Sequence, residues 1–418
     1  MLQHTTPTEA RQALLRIYQK GLARVEGRGA VVGWLQQHPI TTPVRMIAIG
    51  KAAQSMAMGA REQLGEAIQQ GLVISKYGHL DDRYCRRYGW RSLESAHPVP
   101  DAASLEAGKA LLEMLNEPDS TPLLVLLSGG ASSLVEVPIE GVDLAFLVRT
   151  NEWLLGSGLD IVSMNWVRKG LSRIKGGGLL NWLHGRQTTL LAISDVPGDI
   201  PAAIGSGLLT PEPQLQQRLE TLALPDWLSE KLTAGVEQRV VRIPQDQIPQ
   251  LQIVANLEAA KSAAAQEAEA LGYEVSLKSE FLDGEAAHTG RELADQVVKG
   301  PPGITIWGGE TRVNLPEQPG RGGRNQHLAL AAAEVLSGVD GCLLLSAGTD
   351  GTDGPTEEAG ALVDGDTLKR VDGLGFEVGQ TLAAADAGRL LEASGDLITT
   401  GPTGTNVMDL VVGLKYEF

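Results

Sequence analysis

The chain has 418 residues, of which 43% are hydrophobic and 21% charged, and this composition excludes a disordered protein. Its 35 Lys and Arg stand against 51 Asp and Glu, and the net charge of −16 argues against nucleic acid as the main partner. Because this length exceeds what one hydrophobic core usually serves, we expect two domains.

The sequence carries no sign of secretion or of a membrane. Two cysteines, Cys85 and Cys342, are too few for a disulfide framework and indicate buried, inert thiols in a reducing compartment. No apolar run approaches the ~20 residues that a membrane helix needs. Residues 1–16 are polar and then amphipathic, unlike a signal peptide. We therefore expect a soluble, cytoplasmic protein.

Short apolar runs that end in glycine-rich loops recur along the chain. In an α/β protein, such runs predict strands buried on both faces of parallel sheets, with helical segments between them. Ligands of parallel sheets bind beyond the carboxyl ends of the strands, so the glycine loops are candidate binding sites. The runs are Val44–Ile49, Leu123–Leu127, Thr188–Ile193, Ile304–Trp307 and Leu343–Leu345.

Two helices and a domain junction are also evident. The composition of Asn256–Leu271 predicts a helix with Asn256 as its N-cap, and Gln326–Leu336 predicts another. The more polar stretch Glu212–Gln250 contains Pro225, Pro244 and Pro249 and marks the junction. We predict an amino-terminal domain over residues 1–240 and a carboxyl-terminal domain over residues 241–418.

The usual phosphate-binding fingerprints are missing. Neither G-x-x-x-x-G-K-[ST] nor a G-x-G-x-x-G after the first strand is present. The loop of Ser128, Gly129, Gly130, Ala131 and Ser132 could instead bind phosphate through backbone N–H groups and hydroxyls. A simple tight turn explains this loop equally well.

Basic residues beside glycines are candidate anion ligands. Lys51 precedes a predicted helix, where the helix dipole disfavours a cation unless an anion binds; the alternative is a surface lysine. The segment Arg173–Gly178, which contains Lys175, could clamp an anion or form the basic, glycine-capped end of a helix. Arg168 and Lys169 lie just upstream of it.

The segment Gly320–Gln326 is a stronger signal. It places Arg321 and Arg324 among glycines before a helix, with the amide of Asn325 at the expected cap. Arginine recognises carboxylates and phosphates with two parallel hydrogen bonds. The density of arginine and glycine favours an anion site over a plain loop.

Carboxylates follow two of the predicted strands. Asp350 and Asp353 lie in one glycine loop, and Asp195 and Asp199 lie in another. Either pair suits Mg²⁺ binding or general-base work, while turn formation is the alternative for both.

Two further segments supply polar groups. The loop Thr399–Asn406, with Thr403 and Asn406, is dense in small donors that could hold a substrate or phosphate. His97 stands out among seven histidines that show no paired metal spacing, and no G-x-S-x-G elbow supports a hydrolase triad. The residues therefore favour an α/β enzyme that gathers anions in a cleft, with phosphoryl transfer as the best fit.

Nine segments that run in order through nearly the whole chain resemble those of the class II glycerate 2-kinases, whose carboxyl-terminal part is the MOFRL domain. The segments are Gly50-Lys51-Ala52, His97–Asp101, Ser128–Ser132, Arg168-Lys169 with Lys175–Gly177, Ser194–Asp199, Gly308–Thr311, Gly322–Gln326, Gly348–Gly351 with Asp353–Thr356, and Gly401–Asn406.

The resemblance implies a Rossmann-like, parallel-sheet amino-terminal domain and a second α/β domain, with the active site in the cleft between them. It also implies transfer of the γ-phosphoryl group of ATP to D-glycerate, with Mg²⁺, to give 2-phosphoglycerate. D-glycerate and ATP are thus the expected partners, and homodimer formation is left open.

The resemblance also implies roles for single residues. Lys51 and Arg324 match the essential cations of the family; we expect Lys51 to neutralise the transferred phosphoryl and Arg324 to hold it or the glycerate carboxylate. Asp195 or Asp350 would accept the proton of the attacking hydroxyl or bind the metal. The Ser128–Ser132 loop and Lys175 would bind phosphate or nucleotide. The expected substrate contacts are His97, Glu310, Asn325, Asp353, Thr403 and Asn406.

Three positions depart from the family pattern, namely Trp166, Gly170 and Met408, where a small residue, histidine and asparagine are usual. Two other functions compete with the kinase. One is an oxidoreductase of the hydroxypyruvate reductase type, against which the missing dinucleotide fingerprint counts, and the other is a non-catalytic binder of small anions.

Overall fold

The structure, a computed structural model, describes residues 6–417 and divides into two compact units. Residues 27–254 form the first unit, and residues 6–26 with 255–417 form the described part of the second. The predicted domains were residues 1–240 and 241–418, whereas the first unit begins at residue 27 and ends at residue 254. The predicted boundary stays a prediction. The first helix joins the second unit because its apolar face, including Leu14 and Tyr18, lies in one buried cluster with Leu410.

The first unit is built on one six-stranded sheet in the order β3-β2-β1-β4-β5-β6. The strands are β1 (Val44–Ile49), β2 (Ile68–Lys76), β3 (Arg91–Ser95), β4 (Leu123–Leu127), β5 (Thr188–Ile193) and β6 (Leu251–Ala255). The pairings from β3 through β5 are parallel, and this strand order is that of Rossmann folds. The predicted Rossmann-like parallel sheet is therefore confirmed.

Helices cover both faces of this sheet, which is why every residue of β1 and β4 is buried. The helices of the unit are α2 (Gly27–Gln37), α3 (Ala53–Leu64), α4 (Asp82–Arg87), α5 (Ala102–Asn116), α6 (Ala131–Leu134), α7 (Leu144–Gly156), α8 (Ile161–Gly170), α9 (Leu215–Glu220), α10 (Asp226–Ala234) and α11 (Val236–Arg239). Because β1, β4 and β5 are parallel, their glycine loops meet at one edge, as predicted.

The second unit contains helix α1 (Pro7–Val25) and a six-stranded sheet in the order β11-β10-β9-β12-β8-β7. Its strands are β7 (Val275–Leu282), β8 (Gly303–Gly309), β9 (Cys342–Gly348), β10 (Gly360–Asp364), β11 (Leu397–Ile398) and β12 (Asp409–Lys415). Its other helices are α12 (Leu257–Ala270), α13 (Ala286–Lys299), α14 (Arg324–Leu336), α15 (Thr367–Arg370), α16 (Val378–Ala383) and α17 (Ala387–Ser394).

The prediction of a parallel sheet is wrong for this unit, because the sheet is mixed. The last strand, β12, lies between β8 and β9 and runs antiparallel to both. Consequently β8 and β9 point the same way, and the loops that follow them still share one edge with the start of β12. Asp409, the first residue of β12, pairs with Gly309 on one side and Gly348 on the other.

Local predictions of helix ends hold in part. Asn256 is the N-cap of α12, as predicted, and its side chain accepts a hydrogen bond from the Ala259 N–H at 3.0 Å. Helix α14 begins two residues before the predicted Gln326, so that Arg324 is its first residue. Among residues 6–417, no helix combines the length and the apolar character needed to cross a membrane.

Both cysteines are free and buried, in agreement with the sequence analysis. Burial raises the pKa of Cys85 to about 11, and it also raises the pKa of Cys342. Neither thiol therefore carries a reactive thiolate near neutral pH.

Candidate active site

The glycine loops at the edge of the first sheet are tied to one another by hydrogen bonds. The Lys51 N–H donates to the Gly129 carbonyl at 2.9 Å, and the Ala52 N–H donates to Ser128 Oγ at 3.0 Å. Ser128 is fully buried. Its hydroxyl thus joins the loop after β4 to the loop after β1, which fixes the position of Lys51 just before α3.

Gly130 brings two predicted site residues together. It has a left-handed backbone with φ 86°, and it precedes α6. A Cβ placed on Gly130 would lie 2.9 Å from Cδ2 of His97 and 3.5 Å from Cγ of Lys51. The side chains of Lys51 and His97 therefore flank this glycine, and no larger residue fits between them without displacement.

A pocket of about 270 Å³ lies within the first unit beside this loop. It is lined by parts of α7, α8 and the glycine loops. Of the predicted site residues, the pocket brings together His97, Gly130, Ser132, Lys175 and Asp195. Its wall also contains Glu136, Asn151, Asn165, Arg168, Ser206 and apolar groups such as Leu147 and Leu171.

Lys175 forms a buried ion pair with Glu136 at the pocket wall. Both side chains are only 3% exposed, and the ammonium donates to Glu136 Oε2. Lys169 forms a second buried pair with Glu212. Neither reading of the Arg173–Gly178 segment anticipated these carboxylates, which neutralise two of the expected anion-binding cations.

Arg168 is held differently, by neutral amides. Its Nε donates to Asn151 Oδ1 at 3.0 Å and its Nη1 donates to Asn165 Oδ1 at 3.1 Å. Burial lowers the pKa of Arg168. The pocket wall thus holds a partly desolvated guanidinium whose hydrogen-bond partners carry no charge.

Another part of the pocket lining has an unusual backbone. Gly205, Ser206 and Gly207 have consecutive positive φ values of 55°, 56° and 64°. For Ser206 this conformation is strained, and such strain is concentrated at functional sites. Ser206 Oγ lies 2.6 Å from Ser132 Oγ, so the two loops present a pair of hydroxyls to the pocket.

In the second unit, Arg324 is held by two carboxylates. Its Nε donates to Asp409 Oδ2 at 2.6 Å and its Nη2 to Asp409 Oδ1 at 3.0 Å. Its Nη1 lies 2.7 Å from Glu310 Oε1. Burial opposes the charged guanidinium, but Asp409 and Glu310 outweigh it and raise the pKa of Arg324. Arg324 therefore remains a cation in a fixed orientation.

The start of α14 is capped by a residue from another loop, which corrects the prediction that Asn325 is the cap. The N-cap residue is Gly323, which has no side chain. The buried carboxylate of Asp353 accepts from the N–H of Asn325 at 3.0 Å and of Gln326 at 2.8 Å. Asn325 Oδ1 in turn accepts from Ser346 Oγ at 2.7 Å.

These bonds show what Asp353 and Asn325 do in the fold. Both residues are buried, and their polar atoms anchor the helix that carries Arg324. Burial raises the pKa of Asp353 to about 7, against the backbone hydrogen bonds and Arg324, which lower it. Their predicted contact with substrate stays a prediction.

Asp350 and the last glycine loop lie at the same sheet edge. Asp350 Oδ1 accepts from the N–H and the hydroxyl of Thr352, both at 3.1 Å, which is the turn-forming arrangement. Asp350 Oδ1 and Asp409 Oδ1 each lie 3.5 Å from where a Cβ of Gly348 would stand. Asp350 thus neighbours the carboxylate that holds Arg324.

The polar residues of the final loop also have hydrogen-bond partners within the second unit. Thr403 Oγ1 donates to the Thr349 carbonyl at 2.5 Å, and Asn406 Oδ1 lies 3.5 Å from the Met408 nitrogen. Met408 has a left-handed backbone with φ 73°. Asparagine adopts this conformation more readily than methionine, which accounts for the asparagine usual at this position.

The other two departures from the family pattern have local partners. A Cβ on Gly170 would clash with Leu232 Cδ2, and Arg239 donates to the Gly170 carbonyl. In this chain those side chains occupy the space that a larger residue would need. The guanidinium carbon of Arg218 lies over the ring of Trp166, 5.1 Å from the ring centroid.

The metal ligands are not defined by the fold. Within residues 6–417, no group of three or more His, Cys, Asp or Glu is arranged to hold a metal ion. Mg²⁺ in nucleotide-binding sites commonly takes one or two carboxylates, with phosphate oxygens and water as its other ligands. Asp195 and Asp350 therefore stay candidates as single ligands.

Sequence reasoning missed Glu136 and Asp409, which hold two of the predicted cations. Glu136 interrupts an apolar stretch, and an isolated carboxylate there is a sign of a buried partner. Asp409 directly precedes the apolar residues of β12 and follows the Thr399–Asn406 loop by three positions. The two amides that hold Arg168 were missed as well; they belong to Asn151 and Asn165.

Comparison with known proteins adds to this geometry. Residues 13–240 match the family described as Domain of unknown function (DUF4147), and residues 303–409 match the MOFRL family. The chain is 36% identical over 426 residues to the D-glycerate 2-kinase of Thermotoga maritima, with 98% of this chain and 99% of the relative covered. A relative from Agrobacterium vitis that carries the name of a hydroxypyruvate reductase is 35% identical over 96% of this chain and 93% of its own length.

A solved structure agrees with the sequence matches. The crystal structure of glycerate kinase from Thermotoga maritima superimposes with a TM-score of 0.84 at 35% identity, covering 98% of this chain and 100% of that one. Identity at this level over nearly the full length, with both family matches in order, shows descent as well as fold. The chain belongs to the glycerate 2-kinase family that carries the MOFRL domain, and it is an enzyme of that family.

Proposed function

We propose that this enzyme transfers the γ-phosphoryl group of ATP to the 2-hydroxyl of D-glycerate and releases 2-phosphoglycerate and ADP. The observation that carries the proposal is the polar pocket of the first unit, which has Asp195, His97 and the Ser132–Ser206 hydroxyl pair on its walls. A carboxylate, an imidazole and hydroxyls around a small volume suit a hydroxy acid. The curated kinase of Thermotoga maritima, which is similar over its whole length, supports the same substrate.

Asp195 is our candidate for the general base. It lines the pocket, and Asp350 is not among the lining residues. Asp195 would take the proton of the 2-hydroxyl while that oxygen bonds to the γ-phosphorus. The bond from the γ-phosphorus to the β,γ-bridging oxygen breaks at the same time, and ADP leaves.

Lys51 and Arg324 are the proposed cations of the reaction. Lys51 stands before α3 beside the Gly130 loop, where it would offset negative charge on the transferred phosphoryl. Arg324 is held in one orientation by Asp409 and Glu310, as a residue that recognises an oxyanion must be. Mg²⁺, when bound, would neutralise phosphate charge, and Asp350 is the carboxylate that we would expect to hold it.

The proposal is tested with purified protein, ATP, Mg²⁺ and D-glycerate, by following ADP release. We expect turnover with the wild type and a loss of at least about 100-fold in kcat for Lys51→Gln and for Arg324→Gln, the scale seen when one group that stabilises transition-state charge is removed. Full activity in both variants would contradict their roles. Oxidation of a nicotinamide cofactor with hydroxypyruvate, without ADP release, would favour the reductase instead.

A further inference from the structure

The pocket wall of the first unit contains two cations, of which one is paired with a carboxylate and the other is not. Lys175 is compensated by Glu136, with both side chains buried. Arg168 hydrogen-bonds to amide oxygens, and none of its contacts within residues 6–417 is with a carboxylate. A desolvated cation without a counter-charge is costly, and a bound anion would remove that cost.

The orientation of Arg168 is fixed from two sides. Asn151 on α7 and Asn165 on α8 accept from Nε and Nη1, and these bonds leave Nη2 for a ligand. Asn151 follows Leu147 by one helical turn, so both lie on the face of α7 that lines the pocket. Arg168 follows Asn165 by three residues, so both lie on the face of α8 that lines it. A planar guanidinium held in this way is preorganised for a planar anion.

The pocket selects among anions by charge and size. Its ionisable lining consists of two cations, Arg168 and Lys175, two carboxylates, Glu136 and Asp195, and the imidazole of His97. It has no large excess of positive charge, which suits one negative charge better than a triphosphate. Its volume of about 270 Å³ is below the ~300–1,000 Å³ of sites for drug-sized ligands. A three-carbon hydroxy acid fits a pocket of this volume.

We propose that Arg168, oriented by Asn151 and Asn165, binds the carboxylate of D-glycerate and makes the enzyme specific for an acid over a neutral polyol. The inference rests on the proposed function for the identity of the substrate. The substrate carboxylate would lie against α7 and α8. Asp195 and the Ser132–Ser206 hydroxyls line the same pocket. The hydroxyl groups of the substrate would then face those residues.

The test compares substrates in charge-changing variants. Arg168→Gln should raise KM for D-glycerate by about 100-fold or more, because hydrogen bonds to a charged group are lost. The same variant should leave KM for ATP within about twofold of the wild-type value. With glycerol, which lacks the carboxylate, turnover by the variant should match that of the wild type, so that the preference for glycerate falls.

A second variant keeps the test valid if Arg168→Gln does not fold. Asn165→Asp preserves the accepting oxygen and adds a negative charge beside the guanidinium, which should also raise KM for D-glycerate. Arg149→Gln is the matched control, because Arg149 is exposed on α7 and stacks on Trp227 at 4.0 Å. It removes a positive charge from α7, the helix that carries Asn151, outside the pocket lining, and KM should not change.

Binding of D-glycerate alone separates this inference from the proposed function. Titration calorimetry should show binding to the wild type and its loss in Asn165→Asp. Binding that follows this pattern without turnover would support Arg168 and contradict the kinase. Normal glycerate KM and binding in both variants, or an increase in KM for ATP instead, would overturn the assignment of Arg168 to the glycerate carboxylate.

Discussion

The buried pair of Glu136 and Lys175 gives the sharpest test of the energetics. Glu136→Gln keeps the size and one accepting oxygen of the side chain but removes its charge. The Lys175 ammonium is 3% exposed and donates to Glu136, so the substitution leaves a buried cation without a counter-charge. Removing one partner of such a pair costs about 3–5 kcal/mol of unfolding free energy.

The double variant separates charge from packing. Glu136→Leu with Lys175→Met replaces both charges by apolar side chains of similar volume. Because no unpaired charge remains, we expect the free energy of unfolding to lie within about 1 kcal/mol of the wild-type value, or above it. A loss of 3–5 kcal/mol would in contrast be a large part of the 5–15 kcal/mol typical of a domain.

Urea unfolding followed by tryptophan fluorescence measures both variants in the unit that contains the pair. Six of the seven tryptophans lie within residues 27–254, and only Trp307 lies in the other unit, so the signal reports mainly on the first. If Glu136→Gln unfolds at the same urea concentration as the wild type, the charge of Glu136 does not stabilise the fold. If the double variant is as unstable as the single one, the unpaired charge of Lys175 is not the cause of the loss.

Three other predictions follow from the sites. Asp409→Asn should reduce kcat by about 10–100-fold without abolishing folding, because Arg324 loses its orienting carboxylate; wild-type kcat in a steady-state assay would contradict this. Gly130→Ala should cost about 1–2 kcal/mol through its left-handed φ of 86° and also lower activity through contact with His97; unchanged melting and turnover would count against it. The pKa of Asp353 is about 7 in the folded state, above its unfolded value. Its protonation should therefore contribute fully to the free energy of unfolding below pH about 4, and this contribution should be lost as pH rises to about 7. Asp353→Asn should flatten that part of the stability curve, measured by urea unfolding from pH 4 to 8, and a parallel curve would disprove the assignment.

The first sheet was predictable because its information is local. The strands β1, β4 and β5 coincide with the predicted runs, since each is a largely apolar segment that ends at a glycine loop. Parallel strands buried on both faces leave such runs in any sequence. The candidate loops followed directly, because the carboxyl ends of these strands meet at one edge.

The second sheet shows where local information ends. The runs in β8 and β9 were predicted as strands, but the insertion of β12 between them depends on pairing with residues about 60 to 110 positions earlier in the chain. The same limit hid the cap of α14, since Asp353 is 28 residues from Asn325. It also hid Glu136, which is 39 residues from Lys175.

The candidate site was predictable in its residue types and less so in its contacts. Lys51 and Asp195 were identified as residues of the glycine loops and His97 as a candidate among the histidines, and the first unit places His97 and Asp195 in one pocket. The ion pair of Lys175 with Glu136 could not be predicted from the segment around Lys175. The predicted placement of the active site in a cleft between domains stays a prediction.

The proposed reaction is the transfer of a phosphoryl group to the 2-hydroxyl of glycerate. Its most direct test is phosphorus and proton NMR of the product formed from ATP, Mg²⁺ and D-glycerate by the wild-type protein. We predict a phosphorus signal coupled to the proton on carbon 2, with one equivalent of ADP. A signal coupled to the protons on carbon 3, or unchanged D-glycerate with unconsumed ATP, would contradict the account.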